Sequence, residues 1–342
     1  MDNGFLRGYL AECRDLVLTE IQEIVPRNRY HPILYDLILD YPLRVGKAFR
    51  PSLCIATCRA LGGRVQDALR TAAVLELFHN AFLVHDDIED GSLMRRGLPT
   101  LHLDYGVPIA VNVGDGIFAL CLQPLLDNAR LLGLGKALRI LEIVARMARE
   151  SVEGQAIELD WIRRRQWHLR DRDYCLLSYK KTCWYSFIAP MQIGAVVAGA
   201  LPSQLALLRK YAAYVGVAFQ IQDDVLNLTA DEDRYGKEIA GDLWEGKHTL
   251  IVMHMMRSAS EEEQAVAQEM LAKPRGARTE DDVQFLLALI WRYGSLDYAR
   301  NVALALACKA ERILERAFTW IPPSVHRDFL QSMTQYVTTR EK

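Results

Sequence analysis

No sign of charge dominates this chain. Its 41 Lys and Arg against 43 Asp and Glu leave a formal net charge of −2, which argues against a nucleic-acid or anionic-membrane partner. Paired cysteines are missing too. Cys13, Cys54, Cys58, Cys121, Cys175, Cys183 and Cys308 form no CxxC pattern and are odd in number, so the sequence predicts reduced thiols in a cytoplasmic protein, not a zinc site or a disulfide framework. Cys54 and Cys58, one helical turn apart, read as buried packing. The stretch MDNGFLRGYLAECRD lacks a basic start followed by an apolar core, and no secretory signal is expected. Long apolar runs are scarce. Val107–Leu126 is interrupted by Pro108, Asn112, Asp115 and Pro124, and Phe187–Leu201 is short for a bilayer; both read as buried core helices, with no membrane span. Strand-like alternation, internal repeats and low-complexity linkers are all but absent.

Helical periodicity fills what remains. With 51% hydrophobic and 25% charged residues, the chain can bury a large core. Helices are predicted over Asp2–Val25, Pro32–Asp40, Pro51–Leu61, Asp67–Asp90, Val111–Arg130, Lys136–Arg149, Ser151–Trp161, Asp173–Leu201 and Ser203–Leu228. Loops are predicted over Gly91–Pro108 and Asp231–Thr249, with a charged connection at Arg163–Asp173. Later helices break at Lys273–Arg278 and again at Pro322–Pro323. Met253, Met255, Met256 and Trp161 read as core. The expectation is one all-α domain over residues 1–342, a bundle of about a dozen helices.

Two stretches carry the chemistry. FHNAFLVHDDIED ends in Asp86, Asp87 and Asp90, an i, i+1, i+4 set within about one quadrant of a helix. His79 and Leu83 share that face, with Phe82 at its edge. FQIQDDVLNLTAD repeats the design with Asp223, Asp224 and Asn227, joined by Gln220 and Asp231. Carboxylates aimed from otherwise apolar helices need compensation. Hard Mg²⁺, sharing oxygen ligands with a phosphorylated substrate, is the simplest candidate. Lone acidic runs are usually solvated helix ends, but two of matched spacing beside basic, glycine-rich loops are not explained that way.

Phosphate donors are also present. Lys47 and Arg50 flank the start of a proline-led helix, whose free N–H groups favour anions. Arg95 and Arg96 follow the first carboxylates in a loop where guanidinium forks can grip phosphate oxygens. Lys181–Thr182 and the pair Lys237/Lys247 add more. Donors spread over five segments suggest two diphosphate sites, one reached through metal and one directly.

On these residues the chain resembles the trans-isoprenyl diphosphate synthases, similar to geranylgeranyl and farnesyl diphosphate synthases. The matching motifs are GKAFRP (46–51), HDDIEDGSLMRRGLPTLH (85–102), GDGIFAL (114–120), EGQAIELD (153–160), KT (181–182), FQIQDDVLN (219–227) and YGKEIAGDLWEGKHTL (235–250). The resemblance implies an all-α homodimer with a deep central cavity in each subunit. It implies Mg²⁺, three ions per active site, on Asp86, Asp90 and Asp223, supported by Asp87 and Asp224, with Asn227 at the last position of the second motif. Arg95, Lys181, Thr182, Gln220, Lys237 and Lys247 would contact the allylic diphosphate; Lys47, Arg50, His79 and Arg96 would bind isopentenyl diphosphate. Gln155 and Glu158 would line the cavity.

Two departures stand out. Asn227 occupies a place where many members carry aspartate, which removes one charge from the second motif. The basic C-terminal end is present only in part, as Arg340-Glu341-Lys342. Product length rests on the fourth and fifth residues before the first aspartate, Phe82 and Ala81. The small residue at the fifth place implies room for geranylgeranyl diphosphate over farnesyl diphosphate. Three rival readings fit part of the sequence: a class I terpene cyclase, an HD-type phosphohydrolase built on His79, His85 and Asp86, and a silent partner subunit. A cyclase needs no second diphosphate pocket, a phosphohydrolase leaves the second acidic helix unexplained, and silent subunits usually lose one acidic motif.

Overall fold

The computed structural model describes residues 3–26, 32–44, 46–229 and 239–339. Helices follow one another as α1 (Asn3–Ile24), α2 (Pro32–Leu43), α3 (Phe49–Ala60), α4 (Val65–Asp90), α5 (Leu101–Tyr105), α6 (Val107–Leu120), α7 (Leu122–Leu131), α8 (Leu134–Arg164) and α9 (Asp171–Ser178). A π-helical run, Tyr179–Ile188, leads into α10 (Ala189–Val197) and α11 (Pro202–Thr229). Beyond it come helices Gly241–Glu245, Leu250–Ser258, Glu261–Leu271, Glu280–Arg292, Ser295–Ala317 and Val325–Thr339. The all-α expectation holds.

Two compact units make up the chain. The first draws on Met1–Ala148, Tyr185–Ala212 and Glu311–Met333, the second on Arg149–Trp184, Ala213–Ala310 and Thr334–Lys342. In the first, α4 packs against α1, α3 and α6, and α10 lies along α3. That last approach is close: a Cβ at Gly194 would overlap the Cys54 carbonyl, so only glycine fits. In the second, Leu250, Ile251, Met253, Met255 and Met256 join Leu286, Leu289 and Ile290 in the core, and Trp161 is buried as expected. All seven cysteines are free thiols; Cys13, Cys54, Cys58, Cys121 and Cys183 are buried, whereas Cys308 is exposed.

Several local expectations are corrected. The predicted loop 91–108 contains a small hairpin, β1 (Met94–Arg95) with β2 (Leu98–Pro99), and then α5. Arg96 and Gly97 turn it with φ of 54° and 78°, the pair of left-handed residues that suits a two-residue hairpin. α2 runs on through Pro42, and α8 continues without the break expected near residue 150. Val107–Leu126 is core on one face only: Ala110, Val113, Ile117 and Leu125 are buried, whereas Val107, Val111, Leu122 and Leu126 are exposed. By length and composition Val107–Leu131 could cross a membrane, with 39% of its most apolar window buried. By contrast Phe187–Leu201 is core as far as Val197, as expected, and its end at Leu201 is exposed.

Candidate active site

In the first unit the acidic motif closes α4. One 100° step separates neighbours on a helix, and it splits the aspartate pair. Asp86 and Asp90 stay partly exposed, while Asp87 is buried at 1%. The Tyr41 hydroxyl donates to Asp87 Oδ2 at 2.6 Å, and Arg95 Nε donates to Oδ1 at 2.9 Å, with its Nη2 closing a second contact. Arg95 is buried, which opposes its charge, yet Asp87 beside it lifts its pKa above the ordinary value. Asp87 and Arg95 are therefore engaged with each other, in a brace that fixes the hairpin under α4. Tyr41 was not singled out from the sequence.

The hairpin aims Arg96. Its Nη1 donates to the Tyr41 carbonyl at 2.6 Å, and its guanidinium carbon would lie 3.0 Å from a Cβ on Gly46. Burial lowers its pKa; Glu76 opposes this, while Arg50, Arg95 and Arg44 lower it further. Arg50 holds its guanidinium 4.5 Å above the Tyr185 ring, and its Nε is buried without a hydrogen-bond partner among the described residues. His79 stacks on the same ring at 5.8 Å. Lys47 is exposed, with Nζ 5.9 Å from the Phe49 ring centre. Three of the four residues assigned to isopentenyl diphosphate thus belong to one basic and aromatic group. Phe82 lies between Phe118 at 5.4 Å and Tyr185 at 5.6 Å, and Ala81 is fully buried. His85 packs over Gly114 and Phe118, as a packed residue should.

The second unit repeats the brace. On α11, Asp224 is buried at 5% and Asp223 is partly exposed. The Tyr174 hydroxyl donates to Asp224 Oδ2 at 2.6 Å, and Gln220 Nε2 donates to Oδ1 at 2.8 Å. Burial raises the Asp224 pKa well above the carboxylate range, with Asp242 and Asp223 adding to it. Gln220 Oε1 accepts from Thr182 Oγ1 at 2.8 Å, and Lys181 pairs with Glu158. Asn227 is buried; its Oδ1 accepts from the Asp242 backbone N–H at 3.1 Å, so it caps helix Gly241–Glu245 and the missing charge has a structural use. Lys247 Nζ lies 2.7 Å from Glu245. Gln155 is partly exposed on α8. Lys237, Asp231 and residues 340–342 lie outside the described residues.

Comparison with known proteins bears on this geometry. Residues 31–290 match the polyprenyl synthetase family model. The chain belongs to the polyprenyl synthetase family. A short chain isoprenyl diphosphate synthase of Methanothermobacter thermautotrophicus is 33% identical over 336 residues, 98% of each chain. The crystal structure of a geranylgeranyl pyrophosphate synthetase from Pyrococcus horikoshii superposes with a TM-score of 0.85 at 32% identity, covering 98% of both chains. A polyprenyl synthase from Caulobacter crescentus, solved with calcium and isoprenyl diphosphate, gives 0.84 at 28% identity, over 98% of this chain and 95% of that one. This polyprenyl synthetase is accordingly a trans-prenyltransferase of isoprenoid biosynthesis.

The donor set of this family member fits a hard divalent cation. Among the described residues no three acidic, histidine or cysteine side chains converge on one point. Mg²⁺ asks for no more: it is usually held by one or two carboxylates, with water and substrate phosphate completing the octahedron. Asp86 with Asp90, and Asp223 on the other motif, are the described aspartates of the two motifs with exposed surface.

Proposed function

We propose that the chain condenses isopentenyl diphosphate head-to-tail with an allylic diphosphate, in the presence of Mg²⁺, and stops at geranylgeranyl diphosphate. Asp86, Asp90 and Asp223 would hold the metal, three ions per site. When bound, Mg²⁺ supplies positive charge against the charge that grows on departing pyrophosphate. Lys181, Thr182, Gln220, Lys237 and Lys247 orient that same diphosphate and hold donors toward it. Asp87 and Asp224, each fastened by a tyrosine, keep the two acidic turns rigid. Lys47, Arg50, Arg96 and His79 hold isopentenyl diphosphate so that its double bond faces the allylic carbon. Apolar side chains keep water from the cation that forms there. Loss of a proton then completes the longer trans product.

The observation that carries this reading is the arginine group around Arg96. Arg44, Arg50, Arg95 and Arg96 lie near one another: burial lowers the Arg96 pKa against Glu76, and the other three arginines lower it further. Two of the four are already matched: Arg44 to Asp40 at 2.7 Å and Arg95 to Asp87. Arg50 and Arg96 remain over the Tyr185 and Gly46 surfaces, an arrangement that a dianionic diphosphate would stabilise. A cyclase has no use for it.

Product length is set, on this reading, by buried Ala81 and by Phe82 where it meets Phe118 and Tyr185. Ala81→Phe is expected to shorten the product from C20 to C15. A homodimer is supported by the apolar face of α6–α8: Val107, Val111, Leu122, Leu126, Leu131, Leu134 and Leu138 are all exposed. A cytoplasmic location is supported by seven free thiols.

The test incubates purified protein with Mg²⁺, isopentenyl diphosphate and, separately, C5, C10 and C15 allylic diphosphates, then sizes the dephosphorylated products. A C20 alcohol is the expected result. A C15 or longer end point overturns the length assignment alone. Hydrocarbon without elongation would mean a cyclase, and inactivity relieved only by a second chain would mean a silent subunit.

A further inference from the structure

Arg278 belongs to none of the motifs above, yet it is among the most completely bonded side chains in the second unit. It is 6% exposed. A guanidinium carries five N–H donors, and here they reach five backbone carbonyls. Nε donates to Met270 at 3.1 Å, Nη1 to Leu243 at 2.7 Å and to Trp244, and Nη2 to Leu271 at 2.8 Å and Lys273 at 2.7 Å. These carbonyls end two helices, Gly241–Glu245 and Glu261–Leu271, where unpaired oxygens gather negative potential. One cation therefore closes both.

The first of those helices leads directly to Lys247. Gly246 ends it in the left-handed region, φ 73°, and a Cβ there would lie 3.0 Å from the Leu271 carbonyl and 3.1 Å from Arg278 Nη2. The Lys247 N–H returns to the Asp242 carbonyl at 2.9 Å, and its Nζ meets Glu245, which also faces Arg275 at 3.5 Å. At the other end Asn227 caps the helix through Asp242.

We infer that Arg278 is the positioning residue for Lys247, holding the Gly246–Lys247 turn where the lysine reaches the allylic diphosphate. This rests on the proposed role of Lys247. A lysine at 278 keeps the charge but offers donors from one point, so it cannot span both helix ends.

The test is a double-mutant cycle with Arg278→Lys and Lys247→Ala, read as KM for each substrate and kcat, with thermal melts alongside. Arg278→Lys is expected to raise KM for the allylic diphosphate on the order of tenfold and leave that for isopentenyl diphosphate unchanged. The double variant should be no worse than Lys247→Ala. Additive losses, or an equal rise in both KM values, would overturn the inference while leaving the diphosphate role of Lys247 standing. An unaltered allylic KM in Lys247→Ala would remove that role and the inference with it. Should Arg278→Lys fail to fold, Gly246→Ala, which presses on the same guanidinium, enters the same cycle with the same outcomes.

Discussion

Asp86 and Asp87 are adjacent in sequence and should respond to substitution in opposite ways. Asp87→Ala leaves Arg95 buried without its counter-charge, and removing one partner of a buried pair costs about 3–5 kcal/mol; chemical denaturation should show a loss of that size. Asp86→Asn should leave the melting point nearly unchanged and lower kcat roughly a hundredfold. The spacing placed both on one face, because a motif of i, i+1, i+4 looks continuous on a helical wheel. What it could not show is Tyr41, forty-six positions away, reaching Asp87 across the fold. Tyr174 and Tyr185 escaped notice for the same reason, since nothing in their local context marks them as partners. A further residue-scale expectation concerns His248, stacked on Trp167 at 4.5 Å. Burial lowers its pKa to about 4, with Glu158 opposing. Because the unfolded imidazole takes a proton near pH 6.5 and the folded one resists until about 4, stability is full above 6.5 and falls as pH drops through that window, by on the order of 2–3 kcal/mol. His248→Phe should flatten that slope in urea titrations; an unchanged slope would assign the acid sensitivity elsewhere.

At the scale of elements, the π-helical run Tyr179–Ile188 is the least ordinary part of the chain. Such wide turns are rare and cluster at functional sites, and this one carries Lys181, Thr182 and Tyr185. Two glycines admit it. A Cβ on Gly154 of α8 would overlap the Lys181 backbone, and one on Gly216 of α11 would sit 2.7 Å from Cys183 Sγ. Gly154→Ala should therefore push the run outward, cost about 1–3 kcal/mol and displace Lys181 from Glu158; initial rates should fall at least as steeply as stability does. Helix positions were largely legible, because proline, glycine and apolar spacing act locally. The π geometry was not, since it arises from what α8 and α11 press against it. The hairpin was missed because two residues per strand leave no alternation to read. The exposed face of Val107–Leu126 was misread as core because apolar composition cannot say whether the neighbour is the same chain.

At the scale of the whole molecule, that face is expected to meet a second copy. Leu126→Glu or Leu138→Glu should convert a dimer to a monomer in sedimentation experiments; wild-type protein that sediments as a monomer would refute the assignment, and vesicle binding would point to a lipid surface. The distribution of sulfur has a different consequence. Thiol reagents react with exposed thiolate, so Cys308 offers an attachment point for a dye in unmodified protein. Cys13, Cys54, Cys58, Cys121 and Cys183 would stay silent until the structure around them opens. Counting labels against time then turns the wild-type sequence into its own stopwatch. The first labels, on Cys308 and half-buried Cys175, mark the surface, and each later one dates an excursion of a particular helix out of the core, with substrate present or absent.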